Sequence, residues 1–367
     1  MNEEGYLSLL TNIIDKYVVG YFTNYSLDDQ GFDSIRIDSP SLSRDLRDSL
    51  FEVDPLHSDL SYVAVDGSSR SVISSSGIIS IASVAASSKT KPVIGVFPSF
   101  GSLKLPLRKP FLAVAPALNE KRNVLDPYLY SADHVMTFSL SGEPLTAIQG
   151  PEQIECELRT ILETEAISTL RNNPLVIVDG PLFPHLKSLR SSSVERIMSL
   201  RAEAVSKDTV GVVKRISNSS LLKESLSGDD RTSFMSMFKI DPSRAISDEV
   251  ILQNLVRFHL SPPYKPYAFG PIKVRTGNYS FYAYYLMVPL HRYLQKFSLL
   301  RVEMLRESED LLRTLTAIPM SNDGIPQPIA LADRIAKEIT AGIYKLLVYK
   351  VQRLGLGVSF ESRIEVV

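Results

Sequence analysis

One cysteine in 367 residues, Cys156, is too few for an internal disulfide framework or a cysteine-based metal site. The five histidines (His57, His134, His185, His259 and His291) show no ligand spacing, so no zinc motif stands out. Neither sign of charge is in excess. Forty Lys and Arg face forty-one Asp and Glu, which excludes a protein that binds nucleic acid by being basic throughout. No apolar run approaches the ~20 residues of a membrane helix. The opening Met1-Asn2-Glu3-Glu4 is acidic where a signal peptide is basic. A phosphate-cradling glycine loop and a G-x-S-x-G elbow are also missing. A phosphoaspartate hydrolase would carry a second acid where Ser68 stands. These absences, with 44% apolar and 22% charged residues, lead to the expectation of a cytoplasmic globular protein without a membrane segment.

What charge there is lies unevenly. Residues 1–57 hold eleven acids against four bases, so the rest of the chain carries the balancing positive charge. The strongest local excess is 181–223, with eight bases against three acids. That stretch reads either as a solvated helical surface or as a groove facing phosphates. Length leaves room for two to three domains of ~150 residues or one elaborated domain.

Two apolar, β-branched runs end in Asp-Gly: Tyr62-Val63-Ala64-Val65-Asp66-Gly67 and Leu175-Val176-Ile177-Val178-Asp179-Gly180. Runs of this kind suit strands buried on both faces. Ser76–Val84 and Val93–Phe97 are further strand candidates, and Thr209–Lys214, Tyr279–Pro289 and Leu299–Leu305 follow later. Helical periodicity covers 151–172, with Ile154, Leu158, Ile161, Leu162 and Ala166 on one face, and helices are expected at 185–204 and 331–352. This alternation predicts an α/β layer architecture. Aromatic residues crowd 264–285, among them Tyr264, Phe269, Phe281, Tyr284 and Tyr285, which suits a buried sheet edge or a base-stacking surface.

An aspartate at the carboxyl end of a buried strand is a recurring position for function in open α/β sheets. If the two Asp-Gly strands are neighbours, Asp66 and Asp179 repel each other unless a cation lies between them. Oxygen ligands without a His or Cys cluster point to Mg²⁺ or Mn²⁺. A third carboxylate is expected from the preceding helix, where Glu163 and Glu165 both lie about level with Asp179. With Leu158 at zero on the helical wheel, Glu165 falls at about −20°, inside the apolar face, and Glu163 at about +140°, beyond its edge, so periodicity favours Glu165. Cys156, mid-helix, is expected to be inert packing.

These segments resemble the NurA-type nucleases of archaea and some bacteria. Asp66-Gly67-Ser68 with the small-residue strand to Ser88 is similar to the family's first motif. Arg159–Glu163 followed by Val176–Leu182 resembles its Arg-x-x-Leu-Glu helix and Asp-Gly strand. Val210-Gly211-Val212-Val213-Lys214, Leu300-Arg301-Val302-Glu303 and Gly324–Asp333 resemble later motifs in the same order. The resemblance implies a ribonuclease-H-like mixed sheet flanked by helices, with an N-terminal extension and peripheral insertions. It implies an acidic helical extension at 1–57, a nuclease body at 58–352 and a tail or strand at 353–367.

For activity, the resemblance implies divalent-metal-dependent cleavage of DNA ends by 5′-to-3′ exonuclease action, with single-strand endonuclease action as a second mode. It also implies a homodimer working with a hexameric HerA-type translocase in end resection and recombinational repair. The metal and catalytic carboxylates fall on Asp66, Glu163 and Asp179, so the resemblance selects Glu163 where the wheel selects Glu165. Two positions depart from the family's closing motif: Ile325 stands for Tyr and Asp333 for His. Asp333 can still ligate a metal and completes the expected two-metal site. Lys214, Arg215 and Arg70 are the expected DNA contacts. The departures also leave an alternative, a catalytically weakened dimeric adaptor on DNA or on the translocase.

Overall fold

The computed structural model describes residues 38–57, 61–99, 102–117, 126–129, 131–184, 189, 191–355 and 357–364. Among these, twelve strands form one mixed sheet. They are β1 (Asp38–Leu42), β2 (Leu50–Glu52), β3 (Val63–Ser74), β4 (Gly77–Ser88), β5 (Gly95–Phe97), β6 (Leu112–Pro116), β7 (Val135–Met136), β8 (Val176–Asp179), β9 (Thr209–Val213), β10 (Tyr267–Thr276), β11 (Tyr279–Pro289) and β12 (Phe297–Met304). Their order is β1-β10-β11-β12-β9-β8-β3-β4-β6-β7, with β2 beside β10 and β5 beside β4. Within it β6, β4 and β3 run antiparallel to one another in turn, and β8 and then β9 continue parallel to β3. This is the ribonuclease-H-like mixed sheet that the resemblance implied.

Four helices matter to the site: α1 (Pro151–Leu170), α2 (Ser191–Ala204), α3 (Asp248–His259) and α4 (Gln327–Arg353). The period-2 alternation of β3 assigns them to faces. Val63 and Val65 share a core with Leu158 and Leu162 of α1 and Met198 of α2, whereas Ala64 shares a second core with Ile177, Val210 and Val302. α4 lies on this second face, where Ala336 packs on Ala85, the cross-strand partner of Asp66.

The first Asp-Gly strand does not turn where the sequence suggested. β3 runs through Gly67 to Ser74, paired with β4 along its length. The serines that follow are compatible with a strand because they find partners. Ser71 pairs with Ser80 at 2.6 Å, and Ser74 Oγ donates to the Gly77 carbonyl at 3.0 Å. On β4, the buried Ser87 Oγ donates to the Pro328 carbonyl at 2.6 Å. Ser83 Oγ lies 2.8 Å from the Ala336 carbonyl and 2.7 Å from Thr340 Oγ1. The serine-rich strand is thus a polar seat for α4.

The segment 1–57 is not a helical extension where it is described. β1 and β2 both pair with β10, and a four-residue helix, Leu46–Ser49, joins them. Residues 1–37 lie outside the described residues. The 353–367 segment contributes a bridge from Val358 to Ser74 and a short helix, Phe360–Ile364. The aromatic stretch 264–285 forms the β10–β11 hairpin inside the sheet, not an edge, and Phe269, Phe281, Tyr284 and Tyr285 are buried there. No helix among the described residues is long and apolar enough to cross a membrane.

Replacing both Ser83 and Ser87 by Ala removes the hydroxyls that seat α4. The double variant is expected to lose about 1–3 kcal/mol of stability, read as a lower midpoint in urea unfolding. Replacing the exposed Ser75 by Ala should leave that midpoint unchanged.

Candidate metal centre

Register brings the two Asp-Gly aspartates together. Val65 of β3 lies opposite Val178 of β8 in a parallel pair, so Asp66 and Asp179 are the next residues of adjacent strands. Each stands two residues beyond an apolar residue of the second core, Ala64 or Ile177, and both therefore face the α4 side. Asp333, in the second turn of α4, completes the group. One carboxylate oxygen from each of Asp66, Asp179 and Asp333 lies within 4.8 Å of the others, the sole such acidic or His/Cys group among the described residues.

The electrostatics of this trio are those of crowded acids. Burial, then the charges of Asp179 and Glu163, push the Asp66 carboxyl up to about 10, and it hydrogen-bonds to Asp333. Burial would also raise Asp333, but the hydrogen bonds from Lys337 and Asp66 and the charge of Lys214 hold it below the usual carboxylate range. Lys337 Nζ lies 2.7 Å from Asp333 one helical turn on. Lys214, just past β9, places Nζ 2.5 Å from Asp179 and 3.9 Å from Asp333. Burial disfavours its charge, yet Asp179 keeps its ammonium above the ordinary lysine range. Three convergent carboxylates, one of them kept protonated by burial and by its acidic neighbours, make a donor set that a hard divalent cation fits.

Glu163 sits just outside the trio. It lies over Gly67, on the α1 face of β3, where a β-carbon would stand 2.7 Å from its Oε1 and 2.8 Å from its Cγ. Gly67 is therefore needed for close approach, not for a turn. Arg159 approaches Glu163 at 3.6 Å and Arg201 at 3.5 Å. Arg201 is buried, and its Nε and Nη1 find no partner among the described residues. Desolvation lowers its proton affinity, although Glu163 opposes the shift. Glu165, the choice of the helical wheel, points elsewhere: its Oε1 accepts from the Arg108 amide at 2.9 Å.

Other expected contacts disperse. Arg215 is exposed beside Lys214. Arg70 lies two β3 residues past Ser68 on the Asp66 face, roughly 13 Å along the strand from Asp66; its guanidinium lies over the Tyr344 ring at 5.6 Å. Among the described residues, the 181–223 bases do not form one groove. Arg201 is buried against Glu163 and Lys214 is held by Asp179, while Lys187, Arg190 and His185 lie outside the described residues.

A supporting residue carried no assigned role in the sequence, although its motif was visible. Glu303 of β12 is buried and accepts the Leu182 amide at 2.8 Å, which fixes the loop leaving Asp179. Arg301 donates to Glu303 at 2.8 Å and to Ser219 Oγ at 2.8 Å. Ser219 and Tyr285 both donate to the buried Asp248 at the start of α3. Gly211, opposite Glu303 in the sheet, lets the loop close in, because a β-carbon there would stand 2.5 Å from the Leu182 nitrogen.

The strand order and the acidic cluster at the end of its parallel strands define a ribonuclease-H-like protein with a carboxylate centre. The NurA domain model matches residues 60–338, and the chain belongs to the NurA family. Among solved structures it is similar to the NurA nuclease from Sulfolobus solfataricus, at 12% identity over 96% of this chain and 98% of that one, with a TM-score of 0.46. It is also similar to human ENDOV, at 13% identity over 80% and 93% of the two chains, with a TM-score of 0.32. A third similar structure is NurA bound to dAMP and manganese, at 9% identity over 91% and 93%, with a TM-score of 0.34. No curated protein matches the sequence.

The raised Asp66 gives a signed pH dependence. Its proton affinity is higher folded than unfolded, so its contribution to stability is full below the ordinary value of 3.8 and is lost as pH rises toward about 10. In chelator, Asp66→Asn should therefore melt above the parent by a margin that widens across that window. A margin independent of pH would contradict the crowding described. Gly67→Ala is expected to cost about 1–3 kcal/mol by pushing Glu163 off its seat. Gly342→Ala, whose added β-carbon meets nothing within 4 Å, should be neutral or stabilising in the same thermal melts.

Proposed function

We propose that this NurA-family chain is a divalent-metal-dependent nuclease that hydrolyses phosphodiesters of DNA. The observation that carries this reading is the convergence of Asp66, Asp179 and Asp333, from two adjacent strands and a helix on one face, with Glu163 next to Asp66. In this reading Asp66, Asp179 and Asp333 hold Mn²⁺ or Mg²⁺. A cation so held would lower the pKa of a bound water and stabilise the leaving oxygen. Glu163, clamped by Arg159 and Arg201, is placed to orient that water or to hold a second ion. The proton that Asp66 takes up without metal would be released on loading, so metal affinity should rise with pH. Lys214 is the residue for the scissile phosphate. Its ammonium shares Asp179 and Asp333 with the site and can turn from them to a non-bridging oxygen.

The manganese and dAMP of another NurA structure indicate the ligand class. Family membership is likewise the support for the finer expectations: 5′-to-3′ exonuclease polarity, a homodimer, and work beside a HerA-type translocase at DNA ends.

The second reading is a dimeric adaptor with a weakened site, favoured by one observation. Lys214 already supplies a positive charge to Asp179, which lets the acids coexist without an ion. Titrating Mn²⁺ against an end-labelled DNA separates the two. Product that rises with Mn²⁺, and falls by more than about 100-fold in Asp179→Asn, supports the nuclease. Binding without product at every Mn²⁺ concentration supports the adaptor.

A further inference from the structure

α2 carries a cation where its own pattern calls for an apolar side chain. The residues three and four positions from Arg201 share its helix face: Ile197 and Met198 before it, Ala204 and Val205 after it. All four are buried, and Met198, Ala204 and Val205 belong to the core that includes Leu158 and Leu162 of α1. The Arg201 side chain is only 1% exposed. Its one carboxylate partner among the described residues is Glu163, 3.5 Å from Nη2, while Nε and Nη1 are buried without a hydrogen-bond partner there. Arg159, the other cation on Glu163, is 44% exposed, so Arg201 is the one that approaches from within the core.

Such a cation burdens the fold. Desolvation of a buried ion pair commonly outweighs its attraction, and an apolar side chain of similar size in its place is often neutral or stabilising. Two orphaned donors add to the cost. Nor does Glu163 depend on Arg201 to offset its charge: its side chain is 13% exposed and Arg159 lies 3.6 Å away. Removing Arg201 would therefore not strand a bare buried anion. A residue that breaks the apolar pattern at a cost in stability belongs with a functional site, and here the site is adjacent. Glu163 is pressed over Gly67, and its charge opposes that of Asp66. Without a cation behind it, Glu163 would turn toward the exposed Arg159 and away from Asp66.

We infer that Arg201 is a positioning residue, which holds the Glu163 carboxylate over Gly67 beside Asp66 at a cost in stability. The inference rests on the nuclease reading and deepens it. Glu163 takes its orientation from inside the core, and Arg201 is dispensable to the fold but not to hydrolysis.

The experiment compares the full chain with Arg201→Met, Arg201→Lys, Glu163→Gln and the double variant Arg201→Met/Glu163→Gln. Thermal melts in EDTA and steady-state cleavage of an end-labelled DNA in Mn²⁺ are the two readouts. Arg201→Met should melt at or above the parent, yet lose about 10- to 100-fold in kcat. KM for DNA should not change, because the buried guanidinium is out of the substrate's reach. Arg201→Lys keeps the charge and should recover part of kcat. Glu163→Gln strands the buried cation and should melt below the parent, and adding Arg201→Met should raise that melt again. In kcat the double variant should fall little below Glu163→Gln, since Arg201 acts through that carboxylate. An Arg201→Met protein that melts below the parent would show a structural role and overturn the inference. So would an unchanged kcat, or losses that multiply in the double variant. A parent that gives no product at any Mn²⁺ concentration registers separately, rejecting the nuclease reading and the inference with it.

Discussion

The parallel pairing of β3 with β8 sets two carboxylates side by side, and the rest of the molecule is arranged around that repulsion. The register from Val63 opposite Val176 to Val65 opposite Val178 is held by side chains buried on both faces. A slip of one residue would send Asp66 or Asp179 to the α1 face and scatter the apolar pattern at the same time. The hydrophobic core thus pins a geometry that electrostatics alone opposes. The surroundings then temper it: Lys214 supports Asp179, Lys337 supports Asp333, and a proton stays on Asp66.

Much of this was legible in the chain. Strands buried on both faces advertise themselves as unbroken β-branched runs, and so β8, β9 and β11 lie where the residues indicated. Pairing two Asp-Gly ends needed only the assumption that their strands are neighbours. The extent of β3 was hidden because Asp-Gly followed by serines looks like a turn when cross-strand and helix partners are unknown. The short helices at Leu221–Ser225, Asp229–Phe238 and Glu309–Thr316 were missed for a related reason, since fewer than three full turns carry little periodicity.

The choice between Glu163 and Glu165 shows where periodicity stops being informative. A wheel ranks residues by how deeply they face the core, and Glu165 does turn inward, to an amide of the 104–110 segment. Glu163 is stationed at the margin of the packed face, over the one position of β3 where a missing β-carbon leaves room. The signal lay in Gly67, a residue on another element. Asp333 was legible in a different way: a carboxylate on α4 away from the charged stripe of Arg334, Glu338 and Lys345 is poorly placed to be a solvent charge.

The acids of the cluster come from distant parts of the chain, and Asp333 arrives on α4, whose docking relies on hydroxyls of β4. A molecule still emerging from synthesis can pair β3 with β8 long before that final long helix exists. Such an unfinished chain presents two adjacent acids without Asp333. In the proposed nuclease reading, competence for chemistry is thereby tied to completion of the fold, and a truncated product would be inert.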